Sequence, residues 1–167
     1  MADTHRRGEL GTEFAADIAV VRGRIRSGRR QGHSYVALLG LRTYDPIKIY
    51  EKVRVGFSYS AFEHFQRNAS LSALALAELT QIPARTLARR KEQGRLGPEE
   101  SDRLVRFARV FARALELFEG ATENARAWLS APQRALGGAT PLALAATDVG
   151  ANEVHNLIGR LEHGIPA

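Results

Sequence analysis

Residues 76–90 of this chain run LAELTQIPARTLARR, and this stretch decides the fold. Its pattern predicts two short helices joined by a tight turn. Pro83 lies at the start of the second helix, where its missing N–H costs nothing and its fixed φ suits the helix. Ile82 and Leu87 are expected to point into the core, and the small Ala77 lets the two helices approach closely. These features are typical of a helix-turn-helix, whose second helix enters the DNA major groove.

The turn of this motif departs from the usual chemistry. One residue in such a turn takes a positive φ, which favours glycine. Here the matching position is Gln81. We therefore expect a turn that is tighter than usual or built differently. The alternative is an ordinary helical hairpin whose arginine face is solvated.

The second motif helix carries basic side chains on the face opposite its core residues. The early turns of a recognition helix face the groove, so Arg85 and Arg89 are expected to contact base edges. The basic residues that follow are expected to hold phosphates. The predicted DNA-binding residues are Arg85, Thr86, Arg89, Arg90, Lys91 and Arg95.

Charge is distributed unevenly along the chain of 167 residues, whose formal net charge is +6. Residues 122–167 hold three arginines and four carboxylates, a net charge of −1, so residues 1–121 have a net charge of +7. Of the 24 basic residues only Lys48, Lys52 and Lys91 are lysines. Arginine suits phosphate and guanine recognition through its bidentate fork. The basic part therefore coincides with the predicted DNA-binding motif.

Composition excludes several function classes. The absence of cysteine removes disulfides, thiolate nucleophiles and zinc–thiolate sites. No apolar stretch approaches the length of a membrane span, and residues 1–30 lack the continuous apolar core of a signal peptide. We therefore expect a cytoplasmic protein with no membrane partner.

The chemistry-bearing residues do not form a catalytic pattern. None of the five histidines stands in a metal-ligand spacing such as H-E-x-x-H. No glycine-rich loop follows a strand, and the carboxylates are scattered over helix faces. We expect no catalytic residues, no metal, no cofactor and no enzymatic activity.

Apolar spacing along the chain predicts an all-α fold. Residues 12–27 have the spacing of an amphipathic helix, whereas the apolar run 35–41 leaves helix and strand open. Asp45, Thr122 and Thr140 are candidate N-caps. Trp128 is expected to anchor the C-terminal core, packed with neighbouring leucines. We expect helices from Pro46 to near Gly56 and over about 58–67, 72–79, 83–93, 98–119, 125–129, 142–146 and 152–162.

Two blocks of residues stand in a fixed order along the chain. The first block is residues 82–90, followed by Leu96 and residues 100–104. The second block is more specific, because it combines tryptophan–leucine, a G-x-x-P-L pattern and a closing helix that ends in glycine. It consists of residues 127–129, Pro132, residues 136–138, residues 140–142, Thr147, Gly150, Val154, residues 157–158, residues 160–161 and residues 163–164. Together the two blocks resemble the Xre/ParS/MbcA-type antitoxins, the partners of RES-domain toxins.

The resemblance implies a bifunctional protein. An Xre-like helix-turn-helix would bind the promoter of its own operon. A C-terminal domain would cover the active site of a toxin that consumes NAD⁺ or transfers ADP-ribose from it. The implied domains are a flexible basic N-terminal arm over 1–32, a DNA-binding and dimerisation region over 33–120, and a toxin-binding domain over 121–167.

The resemblance also implies which residues meet the toxin. The final helix and the tail after it would enter the toxin cleft, with Ile165 as an apolar plug and the Ala167 carboxylate in place of a substrate phosphate. The expected toxin-binding residues are Arg160, Leu161, Glu162, His163, Gly164, Ile165, Pro166 and Ala167.

Two other functions stay open at this point. One is a stand-alone helix-turn-helix repressor whose C-terminal domain serves dimerisation or ligand sensing. The other is a pure protein-interaction module in which the motif is structural. A neighbouring reading frame for a RES-like protein would favour the antitoxin. In the DNA-binding cases we expect a symmetric homodimer, with the apolar residues of 35–65 as the candidate interface.

Overall fold

The structure is a computed structural model that describes residues 18–27 and 33–165. The described residues form helices without a β-strand, which confirms the predicted all-α class. None of these helices is both long and apolar enough to cross a membrane. In chain order they are α1 (18–26), α2 (Ser34–Leu38), α3 (Pro46–Val55), α4 (Tyr59–Asn68), α5 (Ala73–Leu79), α6 (Ala84–Gln93), α7 (Pro98–Leu117), α8 (Thr122–Ser130), a 3₁₀ turn (Arg134–Leu136), α9 (Pro141–Leu144) and α10 (Asp148–Glu162).

The long helix α7 lies at the centre of the fold. Its apolar side chains recur every three or four residues, which predicts one buried stripe. Leu104, Phe107, Phe111 and Leu115 are buried along this stripe. Helices α2 and α3 pack on it from the N-terminal half, and α8 and α10 pack on it from the C-terminal half. Both halves of the chain therefore share one core.

The helix-turn-helix forms from α5 and α6, within one residue of the predicted bounds. Ile82 and Leu87 are buried between the helices, as expected. The expectation of an unusual turn was wrong. Gln81 has φ 55° and takes the left-handed conformation that glycine usually supplies. Such a conformation costs a residue with a Cβ about 1–2 kcal/mol. The Ile82 N–H donates across this turn to the Ala77 carbonyl oxygen at 2.8 Å.

Part of the predicted N-terminal arm belongs to the folded core. Val21 of α1 is fully buried. The Arg22 guanidinium donates to the Gly120 carbonyl oxygen at 3.0 Å and to the Thr122 hydroxyl at 2.9 Å. Helix α1 is therefore docked near the end of α7. Residues 1–17 and 28–32 of the predicted arm lie outside the described residues, and its boundary at residue 32 stays a prediction.

Two predicted helix caps are confirmed. The Asp45 side chain accepts from the Ile47 N–H at 2.9 Å, and the Thr140 hydroxyl accepts from the Ala143 N–H at 3.1 Å. The third was wrong, because α8 begins at Thr122 itself, with Ala121 as its N-cap. The Thr122 hydroxyl accepts from Arg22 instead. The cap was misplaced because its true partner lies a hundred residues earlier in the chain.

The C-terminal helices differ from expectation in two places. Trp128 is only partly buried, beside the Phe118 ring at 6.2 Å, and Leu129 is the fully buried anchor. Helix α10 begins at Asp148, four residues earlier than predicted, and so contains Gly150. A Cβ at Gly150 would collide with the Leu144 carbonyl oxygen. Glycine is therefore needed where α9 approaches α10.

Candidate functional site

The outward face of α6 presents the first group of predicted site residues. Arg85, Arg89 and Lys91 are exposed, and Thr86 is half-buried beside them. The guanidinium groups of Arg85 and Arg89 make no hydrogen bond or ion pair with another described residue. They are thus available to a ligand in solution. A helix that offers basic side chains from its early turns has the layout that enters a DNA groove.

Arg90 differs from its neighbours on α6 because its guanidinium is engaged within the protein. Its Nε lies 3.0 Å and 2.9 Å from the two carboxylate oxygens of Glu100. The same carboxylate accepts from the Gly97 N–H at the start of α7. Glu100 is buried, so this is a partly desolvated ion pair in which the Arg90 Nε–H is shared between both carboxylate oxygens. Arg90 therefore fastens α6 to α7, a role that the sequence analysis missed.

Arg95 lies beyond α6, in the loop that precedes α7. Its backbone forms an isolated bridge with Ser58, and its guanidinium lies 3.4 Å from the carbonyl oxygens of Val55 and Gly56. The side chain is exposed at the end of α3. The predicted DNA-binding residues therefore fall into an outward group on α6, the tethered Arg90, and Arg95 at the edge of the motif.

Helix α3 exposes a second surface, which is apolar. Ile47 is 65% exposed, Tyr50 58% and Val55 64%. The Arg54 guanidinium lies over the Tyr50 ring at 5.9 Å. Most apolar side chains of residues 35–65, among them Leu38 and Phe62, are instead buried in the core. We call the exposed set Ile47, Tyr50 and Val55 the α3 face.

The third surface is the end of α10 and the residues after it. Leu161, His163, Gly164 and Ile165 are exposed, with Ile165 at 50%. Gly164 has φ 66°, and the Ile165 N–H donates to the Arg160 carbonyl oxygen at 3.0 Å, so the chain turns back at the helix end. Arg160 is half-buried. Pro166 and Ala167 lie outside the described residues.

Glu162 differs from the exposed residues around it. Its side chain is 6% exposed, and its carboxylate accepts from the Arg113 guanidinium at 2.8 Å. Arg113 also donates to Glu116 at 2.9 Å, and Glu116 accepts from the Ser34 hydroxyl at 2.9 Å. We call these four residues the internal charge network. It joins α2, α7 and α10 through contacts between residues far apart in sequence.

Arg113 is charged within this network. Burial opposes the charge on its guanidinium, but hydrogen bonds to Glu162 and Glu116 and their negative charges outweigh burial and raise the pKa of Arg113. A charged arginine between two nearly buried carboxylates offsets the negative charge of both. The network thus fixes the end of α10 immediately before the exposed residues 163–165.

Among residues 18–27 and 33–165, no group of three or more histidine or carboxylate side chains is placed to hold a metal ion. The candidate surfaces are the basic face of α6, the α3 face and the end of α10.

Comparison with known proteins adds to this geometry. Residues 48–109 match the model of the antitoxin Xre-like helix-turn-helix domain. Residues 113–164 match the model of the antitoxin Xre/MbcA/ParS C-terminal toxin-binding domain. The two matched segments adjoin within α7.

Three curated proteins named "Antitoxin Xre" are similar to this chain. The Yersinia enterocolitica protein is 39% identical over 76% of this chain and 86% of its own length. The Photorhabdus laumondii protein is 41% identical over 54% of this chain and 62% of its own length. The Pseudomonas putida protein is 37% identical over 50% of this chain and 52% of its own length.

Proposed function

Because the chain belongs to the Xre antitoxin family, we propose that it neutralises a cognate RES-domain toxin and represses its own operon. The toxin would consume NAD⁺ or transfer ADP-ribose from it, and the antitoxin would act by covering its active site. The observation that carries this proposal is the fusion of a helix-turn-helix to a toxin-binding domain through α7. The protein would work by binding, without catalysis of its own, in the cytoplasm, where both NAD⁺ and operator are found.

The end of α10 supports the proposal that this region covers the active site. A cleft that binds a dinucleotide is deep, and an inhibitor that fills it needs a narrow, apolar-tipped projection. The end of α10, closed by the exposed turn 163–165, has this form, and the internal charge network holds it in place. An anchored helix end loses little conformational entropy on insertion. Leu161, His163 and Ile165 are therefore the described residues that we assign to the toxin interface, with Arg160 beside them.

Co-purification tests the toxin partner. The tagged chain is co-expressed with the RES-domain protein encoded beside its gene, and with an unrelated RES-domain protein as the control. We expect a stable complex with the neighbouring protein only, and normal cellular NAD⁺ in those cells. A cognate toxin that depletes NAD⁺ as fast with this chain as without it would contradict the proposal.

The outward face of α6 supports operator binding. Its exposed guanidinium groups are free of intramolecular partners in the described structure, so no internal ion pair must be broken before DNA binds. Arginine binds guanine in a bidentate manner. We assign base contacts to Arg85 and Arg89, and phosphate contacts to Thr86, Lys91 and Arg95. Arg90 would support them by holding α6 against α7.

Arg85→Ala is expected to cost about 1–3 kcal/mol of operator binding and to relax specificity at one base pair. Arg85 is exposed, so thermal stability should not change. Fluorescence anisotropy on operator and on mismatched duplexes measures both effects. Arg126→Ala is the matched control, since Arg126 lies on α8, outside the motif. If the parent, Arg85→Ala and Arg89→Ala bind the operator with equal affinity, the helix-turn-helix has a structural role and does not contact DNA bases.

The α3 face supports a homodimer, which would present two recognition helices to two half-sites. An exposed Ile, Tyr and Val on one short helix form an apolar surface that a second copy can bury.

Ile47→Glu is expected to give monomers at micromolar concentration in sedimentation experiments, with folding unchanged. Val149→Glu is the control, since Val149 is an exposed apolar residue on α10, outside the α3 face. A parent chain that stays monomeric both free and on operator DNA would refute the dimer.

A further inference from the structure

Four arginines follow one another along α7 at spacings of three or four residues, which places them on neighbouring turns. Three are engaged within the molecule. Arg103 donates to the Thr80 carbonyl oxygen at 2.7 Å, Arg106 to Asp102 at 2.8 Å, and Arg113 to Glu162 at 2.8 Å. Arg109, between them, is exposed and has no hydrogen bond or ion pair with a described side chain. It is the uncompensated cation of this row.

Arg109 stands over a groove between α7 and α10. Two adjoining hollows, of about 70 Å³ and about 250 Å³, share Arg109 and His155 in their walls. Asn152 and Asn156 from α10 line the groove, one in each hollow, and both are exposed. A guanidinium and two exposed carboxamides supply donors and acceptors that no element within residues 18–27 and 33–165 covers.

His155 adds a neutral group to this groove. Burial, followed by the positive charges of Arg109 and Arg113, lowers the pKa of His155 below its usual value. The imidazole is therefore uncharged near neutral pH. The other cations of the groove, Arg106 and Arg113, are paired with carboxylates. Among the described residues that line the groove, only Arg109 carries a positive charge without a carboxylate partner.

The distribution of charge favours a carboxylate over a polyanion. Asp102 and Asp148 lie at one end of the groove, with side chains 60% and 81% exposed. A phosphate backbone following the groove would meet these carboxylates at close range and be repelled. A single aspartate or glutamate side chain of a bound protein would reach Arg109 without extending to these two carboxylates. The flanking carboxamides can bond a peptide backbone on either side of it.

We propose that this groove is a second docking site for the toxin, in which Arg109 binds an acidic side chain of the toxin and Asn152 and Asn156 bind the adjacent backbone. The proposal rests on the toxin partnership proposed above. Its location supports a protein partner, because α10 lies within residues 113–164, which match a toxin-binding domain. Two attachment points, at the groove and at residues 163–165, would fix the orientation of the antitoxin on the toxin.

The test is the affinity of the full chain for the purified cognate RES-domain toxin, measured at low and at physiological salt. Arg109→Ala is expected to weaken binding about tenfold, and Arg109→Glu more than that, with a shallower salt dependence for both. Arg126→Glu is the control, since Arg126 is a partly exposed arginine on α8. Unchanged thermal unfolding of the Arg109 variants shows that any loss is local.

The outcomes separate the two proposals. A parent chain that does not bind the toxin overturns both of them. A parent chain that binds it, with Arg109→Glu equally tight, overturns the groove alone. Operator affinity is measured on the same variants. A loss of operator binding without a loss of toxin binding would assign Arg109 to DNA and overturn the docking site.

Discussion

Arg113→Met is expected to lower the free energy of unfolding by about 3 kcal/mol. The substitution leaves the carboxylates of Glu116 and Glu162 without the cation between them, and their side chains are 2% and 6% exposed. Breaking a buried pair from one side costs more than the pair contributes, because the remaining charge stays desolvated. Arg113 itself is 28% exposed, which places the loss at the lower end of the usual range. Urea unfolding followed by circular dichroism measures it.

Two comparisons make this expectation specific to the internal charge network. Arg126→Met removes an arginine whose partner Glu123 is 77% exposed, and it should change stability by less than about 1 kcal/mol. Adding Glu116→Gln and Glu162→Gln to Arg113→Met removes the uncompensated charges and should recover much of the loss. Equal stability of Arg113→Met and Arg126→Met would show that the network does not hold α10.

Local signals in the sequence were sufficient to locate most of the helices, although not the starts of α8 and α10. The N-cap at Asp45 precedes proline, and the spacing of Leu104, Phe107 and Phe111 gives the buried stripe of α7. Both of these signals depend only on residues that lie within one or two helical turns of each other. Gln81 shows the limit of such rules. Left-handed positions favour glycine, so the glutamine at this position predicted an unusual turn. Gln81 nevertheless takes the left-handed conformation in the turn between α5 and α6.

The candidate site was less predictable, because partners of charged side chains are set by the tertiary fold. Sequence placed Arg85 and Arg90 on one helix, with base edges assigned to Arg85 and phosphates to Arg90, yet Arg90 meets Glu100 across the loop that joins α6 to α7. Sequence likewise grouped Glu162 with the tail, whereas Arg113, 49 positions earlier, draws it inward. A basic residue can be located from sequence, but its availability to a ligand depends on carboxylates that only the fold brings near.

Deleting residues 163–167 is expected to abolish neutralisation of the toxin while folding and operator binding persist. The deletion begins after Glu162, so the pair with Arg113 remains and the end of α10 stays fixed. The removed residues that the structure describes, 163–165, are all exposed and contribute nothing to the core. The helix-turn-helix lies some seventy residues upstream in the chain, so the motif is unaffected.

The measurement is NAD⁺ in cells that co-express the truncated chain and the cognate toxin. NAD⁺ should fall as it does with the toxin alone, while the parent chain keeps it normal. Ile165→Asp should have a similar effect, because a charge replaces the apolar group proposed to enter the cleft, at a cost of about 2 kcal/mol or more. Val149→Asp, at another exposed apolar residue of α10, is its control. Normal NAD⁺ with the truncated chain would show that residues 163–167 do not fill the cleft. The neutralising surface would then lie on the face from Trp128 to Leu144, where the indole of Trp128 is only partly buried.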